Sequence, residues 1–133
     1  MRVLQEKNRI VVEDENDFDI KQILECGQVF SFYKKDNGYI VTSMDKIAYI
    51  TLCEGKTIIE TTDVDYFYNF FDLSTDYAKI KDKIKEYYPN FDKFFAGGKD
   101  IRILHQDPFQ TIISFIVSAN NNIARIKKIL NNI

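Results

Sequence analysis

The spacing of apolar residues changes twice along the chain. Through residue 61 they fall in short runs rich in β-branched and aromatic side chains, at residues 9–13, 29–34, 39–43, 47–52 and 57–61. The last four runs are joined by Asp36-Asn37-Gly38, Met44-Asp45-Lys46 and Glu54-Gly55-Lys56, turns too short for a crossover. They predict an antiparallel meander. Asn37-Gly38 is the strongest hairpin signal, since both residues tolerate positive φ. Between the first and second runs, residues 18–25 carry Phe18, Ile20, Ile23 and Leu24 and predict a brief helix capped by Asp17. Cys26-Gly27-Gln28 breaks it.

From Asp63 the apolar residues recur at helical spacing. Asp63 or Asp65 caps a short aromatic helix over residues 66–71. Asp76 starts another, with Tyr77, Ile80, Ile84, Tyr87 and Tyr88 on one side, and Pro89 ends it. Its Lys79, Lys81, Lys83 and Lys85 read as solvated surface. Phe91, Phe94 and Phe95 suggest a further helical turn, and residues 96–100 a loop.

The second change comes at Phe109. From there to Ala119 only Gln110, Thr111, Ser114 and Ser118 are polar, which predicts a helix buried nearly all round. Its start is written in local chemistry: Asp107 as N-cap, Pro108 at N1 and Gln110 completing a capping box. Asn120, Asn121 and Asn122 then form a turn. A last helix places Ile123, Ile126, Ile129, Leu130 and Ile133 on one side and Arg125, Lys127 and Lys128 elsewhere. Strands followed by helices predict an α+β fold. Ile133 sits on the apolar side with no cap beyond it, so the chain reads as the N-terminal part of a longer protein.

Composition narrows the function classes. An apolar content of 45% suffices for a core, yet no apolar run approaches the roughly 20 residues of a membrane span. Met1-Arg2-Val3-Leu4 leads into charge rather than a signal-peptide core. Cys26 and Cys53 are isolated, which fits neither a disulfide scaffold nor a zinc site and suits a reducing, intracellular setting. Heavy use of Ile, Lys and Asn suggests an AT-rich prokaryotic genome, hence a cytoplasmic protein. The formal net charge is −2, but residues 93–133 hold six Lys/Arg (Lys93, Lys99, Arg102, Arg125, Lys127, Lys128) against Asp100 and Asp107. Only this part looks able to face phosphates. Gly97-Gly98-Lys99 lacks the remaining glycine spacing and the Ser/Thr of a phosphate-binding loop, so Lys99 reads as a surface lysine. His105 has no partner in a recognisable motif and reads as structural.

The Asn120–Asn122 turn admits two readings from the residues alone, turn chemistry or a site. Resemblance weighs on the choice. Gln106-Asp107-Pro108-Phe109, Ser114-Phe115-Ile116 and Asn120-Asn121-Asn122-Ile123-Ala124-Arg125-Ile126 resemble the eukaryote-type 8-oxoguanine DNA glycosylases of the helix-hairpin-helix superfamily. Cys26-Gly27-Gln28-Val29-Phe30 is similar to that family's Cys/Ser-Gly-Gln-x-Phe motif, although Ser31-Phe32 stands where Arg-Trp is usual. The resemblance covers most of the chain, weakly from Phe18 and strongly from Leu104. It implies a twisted antiparallel, TBP-like sheet domain over residues 1–75. Residues 76–133 would then begin an all-helical catalytic domain.

The same resemblance implies base excision of 8-oxoguanine paired with cytosine, followed by AP lyase cleavage, with damaged double-stranded DNA as partner. No metal or organic cofactor and no obligate protein partner is implied. The family's lysine nucleophile and assisting aspartate lie beyond Ile133, so no catalytic residue is assigned and this stretch alone is expected to be inactive. Asn120 matches the residue that fills the gap left by the flipped base. Arg125 matches the arginine on the estranged cytosine, whose O2 and N3 acceptors suit paired guanidinium donors. Asn121 and Asn122 brace the turn. The carbonyl of Gly27 would face the lesion's N7, though the residues alone favour a glycine that ends a helix in a left-handed cap. Two alternatives stand beside this reading: an alkylated-base glycosylase of the same superfamily, and a non-catalytic sheet module that binds DNA or protein.

Overall fold

The computed structural model describes residues 1–13, 16–94, 97–130 and 132. Six strands, β1 (Arg2–Glu6), β2 (Arg9–Glu13), β3 (Phe32–Lys35), β4 (Gly38–Ser43), β5 (Lys46–Cys53) and β6 (Lys56–Glu60), form one antiparallel sheet in the order β1-β2-β6-β5-β4-β3. Helix α1 (Ile20–Glu25) enters before β3, and α2 (Val64–Phe70), α3 (Tyr77–Tyr87), α4 (Pro108–Ser118) and α5 (Ile123–Leu130) follow the sheet. The α+β class and the meander from β3 to β6 agree with the sequence pattern.

One sheet face makes the core because the strands alternate. Ile10 and Val12 of β2, Tyr39, Val41 and Ser43 of β4, Ala48 and Ile50 of β5, and Thr57 and Ile59 of β6 are buried. Helices α1 and α2 close that face with Ile20, Ile23, Leu24, Phe67 and Phe70, joined by Phe18 and Phe71. The rings interlock: Phe70 meets Phe71 edge-on at 5.1 Å, and Phe18 meets Phe71 at 6.3 Å. Helix α3 buries no residue; Lys79 and Lys83 are exposed, but Lys81 is drawn in against Asp17 and the Lys99 carbonyl and Lys85 is half-buried, so the four lysines are not all solvated surface.

Several local expectations change. Strand β1 escapes the apolar pattern because it is an edge, half-buried at best and paired only with β2, so charge is tolerated there. Helix α1 begins at Ile20, and its cap is Asp19, whose carboxylate accepts from the Gln22 N–H at 3.0 Å. Asp17 instead receives the Lys81 ammonium. At the β3–β4 hairpin Asp36, not the Asn37-Gly38 pair, takes positive φ, at 45°. Gly38 is required for another reason: a Cβ there would lie 1.8 Å from the Ile50 carbonyl oxygen. Asp63 is the N-cap position of α2, without a side-chain cap bond, and Asp65 falls inside the first turn. A 3-10 turn spans Phe91–Phe94. Phe95 and Ala96, assigned to the helical turn and loop, and Ile133, assigned to the apolar side of α5, lie outside the described residues.

The largest correction concerns α4. Its predicted start and N-cap hold, with the Asp107 carboxylate accepting from the Gln110 N–H at 2.9 Å, but the capping box is not completed: Gln110 Oε1 instead accepts from the Ser43 hydroxyl at 3.4 Å. Its predicted burial does not. Phe109, Ile112, Phe115 and Ile116 are 69%, 57%, 77% and 62% exposed, because among the described residues neighbours pack on only one side of it. Among the described residues no helix is long and apolar enough to cross a membrane.

Candidate functional site

Two turns and the start of α5 hold the residues singled out in the sequence. The first turn ends α1. Its C-cap, Cys26, donates its N–H to Gln22 O at 3.2 Å, and Gly27 follows at φ +92°, in the left-handed region. That geometry satisfies the helix-cap reading. Among the described residues it also leaves the Gly27 carbonyl outside the hydrogen bonds that hold the turn, and a Cβ at Gly27 would meet nothing within 4 Å.

Gln28 fixes this turn in place. Its side-chain amide donates to Ile23 O at 3.0 Å and to Arg102 O at 2.8 Å, and its Oε1 accepts from the Leu104 N–H at 3.0 Å. The Gln106 amide returns a bond to the Gln28 carbonyl at 2.6 Å. One glutamine thereby ties the Gly27 turn to the segment that leads into α4. Its place in the Cys26–Phe30 motif was the available signal, but the motif alone does not reveal a role.

Gly27 lines a cleft of about 250 Å³ with Leu24, Val29, Phe30, Phe32 and Ile123. Glu25, Lys34 and Lys127 supply its charged lining. Glu25 accepts from Tyr39 at 2.7 Å and from Lys34 at 2.9 Å, and these bonds, Lys34 foremost, hold its carboxyl below the usual range. Burial pushes the Tyr39 hydroxyl well above its ordinary value. Lys127 stands over the Phe32 ring, 3.4 Å from the centroid, and burial lowers its affinity for the proton. Lys127, expected on the outer surface of the helix with Arg125 and Lys128, is instead half-buried at the cleft.

The second turn joins α4 to α5. Asn120 is exposed with φ 56°, a conformation asparagine tolerates better than most side chains. Asn121 donates its amide to Val117 O at 2.7 Å and to Ala119 O at 3.4 Å, closing the end of α4. Asn122 Oδ1 accepts from the Arg125 N–H at 3.0 Å, which caps α5. Arg125 itself is exposed, next to buried Ile126. The structure thus brings Gly27 and α5 to one cleft, with Asn120 and Arg125 on the outside of the same helix-turn-helix.

Arg102 corrects the charge argument. Counted among cations able to face phosphates, it is 1% exposed. Its guanidinium donates to the carbonyls of Asp17 at 2.9 Å and Thr75 at 3.2 Å, and to that of Asp72. The Tyr77 ring lies 4.3 Å away, and desolvation lowers the arginine's proton affinity. His105 is structural in its contacts: its backbone N–H donates to Phe70 O at 2.9 Å, and Nε2 lies 3.8 Å from Asp72. Lys99 is exposed. No cluster of three or more metal-ligating side chains occurs among the described residues.

The sequence model described as "8-oxoguanine DNA glycosylase, N-terminal domain" matches residues 10–112. The chain belongs to this family. Its match with the N-glycosylase/DNA lyase of Saccharomyces cerevisiae is 33% identical over 131 residues, covering 86% of this chain and 35% of the yeast protein. The structure of MBOgg1 in complex with a low-affinity DNA ligand superposes with a TM-score of 0.80 at 32% identity, over 96% of this chain and 45% of that one. The 8-oxoguanine glycosylase/lyase of Clostridium acetobutylicum, bound to double-stranded DNA with cytosine opposite 8-oxoG, gives 0.79 at 33% identity over 96% and 46%. The chain therefore spans less than half the length of these glycosylases. The family's sequence model ends before Asn120, so the second turn rests on its own geometry.

Proposed function

We propose that the complete protein excises 8-oxoguanine from duplex DNA in base-excision repair and nicks the strand by lyase chemistry. This chain supplies lesion-base and opposite-base recognition. The family assignment and the named activities of the similar proteins support the reaction class. The observation that carries the assignment of roles is the Gly27 turn: a backbone carbonyl outside the turn's own hydrogen bonds, beside a largely apolar cleft.

The chemistry is a choice of donor and acceptor. Guanine N7 is an acceptor, whereas in 8-oxoguanine N7 carries a hydrogen and donates. A carbonyl oxygen only accepts, so one placed beside N7 favours the lesion and repels guanine's lone pair. Close approach of backbone to a ring is easiest without a Cβ. The cleft's apolar lining would strengthen that single bond by excluding water. Arg125 is assigned to the estranged cytosine and Asn120 to the gap, both exposed on the adjoining turn and helix.

Gly27→Ala tests the reading. With nothing within 4 Å of the added methyl, the substitution costs backbone strain rather than a clash, about 1–2 kcal/mol of stability. Excision from a cytosine-paired 8-oxoguanine duplex should fall by more than about tenfold at a temperature where calorimetry shows the variant folded, a loss of roughly 1.4 kcal/mol or more in the chemical barrier or binding. Normal excision by the folded variant would remove Gly27 from lesion recognition. Release of alkylated purines with 8-oxoguanine left untouched would move the protein to the neighbouring substrate class.

A further inference from the structure

We propose that Lys127 is a positioning residue that couples the cytosine-facing helix to the lesion cleft by seating α5 on Phe32. The inference rests on the glycosylase reading above. Among the described residues, Lys127 provides the hydrogen bond that links a side chain of α5 to the sheet, from Nζ to Phe32 O at 3.4 Å. The same ammonium lies 3.4 Å from the centroid of the Phe32 ring. That ring is itself fixed: Phe32 opens β3, is 5% exposed and meets Tyr39 edge-on at 6.1 Å. Tyr39 in turn donates to Glu25 at 2.7 Å. Glu25 is the last residue of α1, two before Gly27. A continuous path of contacts thus runs from α5 to the Gly27 turn.

The path matters because apolar burial alone does not orient a helix. Ile126 is the buried residue of α5, but hydrophobic contact is non-directional and tolerates rotation about the helix axis. An ammonium held over a ring face and against a carbonyl has a preferred geometry. Lys127 follows Arg125 by two positions, so the rotation it sets also decides where the Arg125 guanidinium points. Lys127 need not touch DNA to alter which opposite base is read.

The test uses the complete protein and 8-oxoguanine paired in turn with each of the four bases. Lys127→Met keeps the apolar stem and loses the charge. It should reduce the preference for cytosine by about twofold to thirtyfold, the range of a partly desolvated cation–π contact. Lys127→Arg, which can stack and donate at the same place, should restore most of it. Combined with Arg125→Ala, Lys127→Met should produce no further loss of preference, because the group it positions is gone. An unchanged preference in Lys127→Met, or equal losses against all four bases, overturns the coupling. If Arg125→Ala alone reduces the preference, the glycosylase reading survives that failure. No effect of Arg125→Ala on the preference overturns both.

Discussion

Gln28 and Arg102 show how single polar side chains hold this site without belonging to it. Gln28 uses its amide on two carbonyls and one N–H from two parts of the chain, α1 and the segment leading into α4. Replacing it by leucine would keep the volume roughly and strand those groups. An unsatisfied buried donor or acceptor costs about 1–3 kcal/mol, so Gln28→Leu should lower the unfolding free energy by about 2–3 kcal/mol. Urea denaturation of the chain measures this, and a loss below the noise of that method would show that water replaces the amide. Neither role was legible in the sequence. Gln28 stood in a quoted motif, and Arg102 looked like any other cation near the C-terminal end. What distinguishes them is the convergence of carbonyls from distant segments, Asp17, Asp72 and Thr75 around Arg102, and no spacing rule encodes a meeting of that range. The left-handed Gly27, by contrast, was legible as a break because glycine after a helical run carries its meaning locally.

At the scale of elements the same division holds. The Gln110 side chain reaches Ser43, a distant partner that no local rule supplies, whereas the start of α4 was readable to the residue, since Asp107 and Pro108 act on backbone groups three positions away at most. The hairpins from β3 to β6 were readable for the same reason. Edge strand β1 was not, because a strand with one partner needs little apolar content. The burial of α4 was misread, since an apolar sequence states what a helix tolerates and not what covers it. This difference gives a direct expectation. Phe115, 77% exposed, and Phe67, fully buried, should respond oppositely to truncation in this chain. Phe67→Ala should cost about 3–5 kcal/mol through lost burial and a cavity, whereas Phe115→Ser should change the unfolding free energy by less than about 0.5 kcal/mol. A large loss at Phe115 on denaturant titration would mean that α4 is covered in solution, by a second copy or by its own chain.

For the molecule as a whole, the exposed cations that adjoin the Asn120 turn are few. With Arg102 buried and Lys127 half-buried, Arg125 and Lys128 are the exposed cations on α5, beside a net charge of −2 for the chain. Two phosphate contacts would give a salt slope of about −2 in a log–log plot, and duplex affinity in the nonspecific range of roughly 10⁻⁴ to 10⁻⁶ M. Lyase chemistry makes a sharper demand. A Schiff base with the sugar needs a free, neutral amine placed at the opened carbonyl carbon. Two lysines line the Gly27 cleft. Lys34 is paired with Glu25 at 2.9 Å, and Lys127 is held by the ring and carbonyl of Phe32. Burial makes Lys127 the easier of the two to deprotonate, yet its nitrogen is committed to Phe32. Incubating this 133-residue chain with abasic or 8-oxoguanine duplex and borohydride should therefore leave no covalent protein–DNA adduct, while binding still weakens with salt. A trapped adduct whose modified peptide contains Lys127 would place the nucleophile on α5, and Lys127 would then be a reacting group instead of the strut proposed for it.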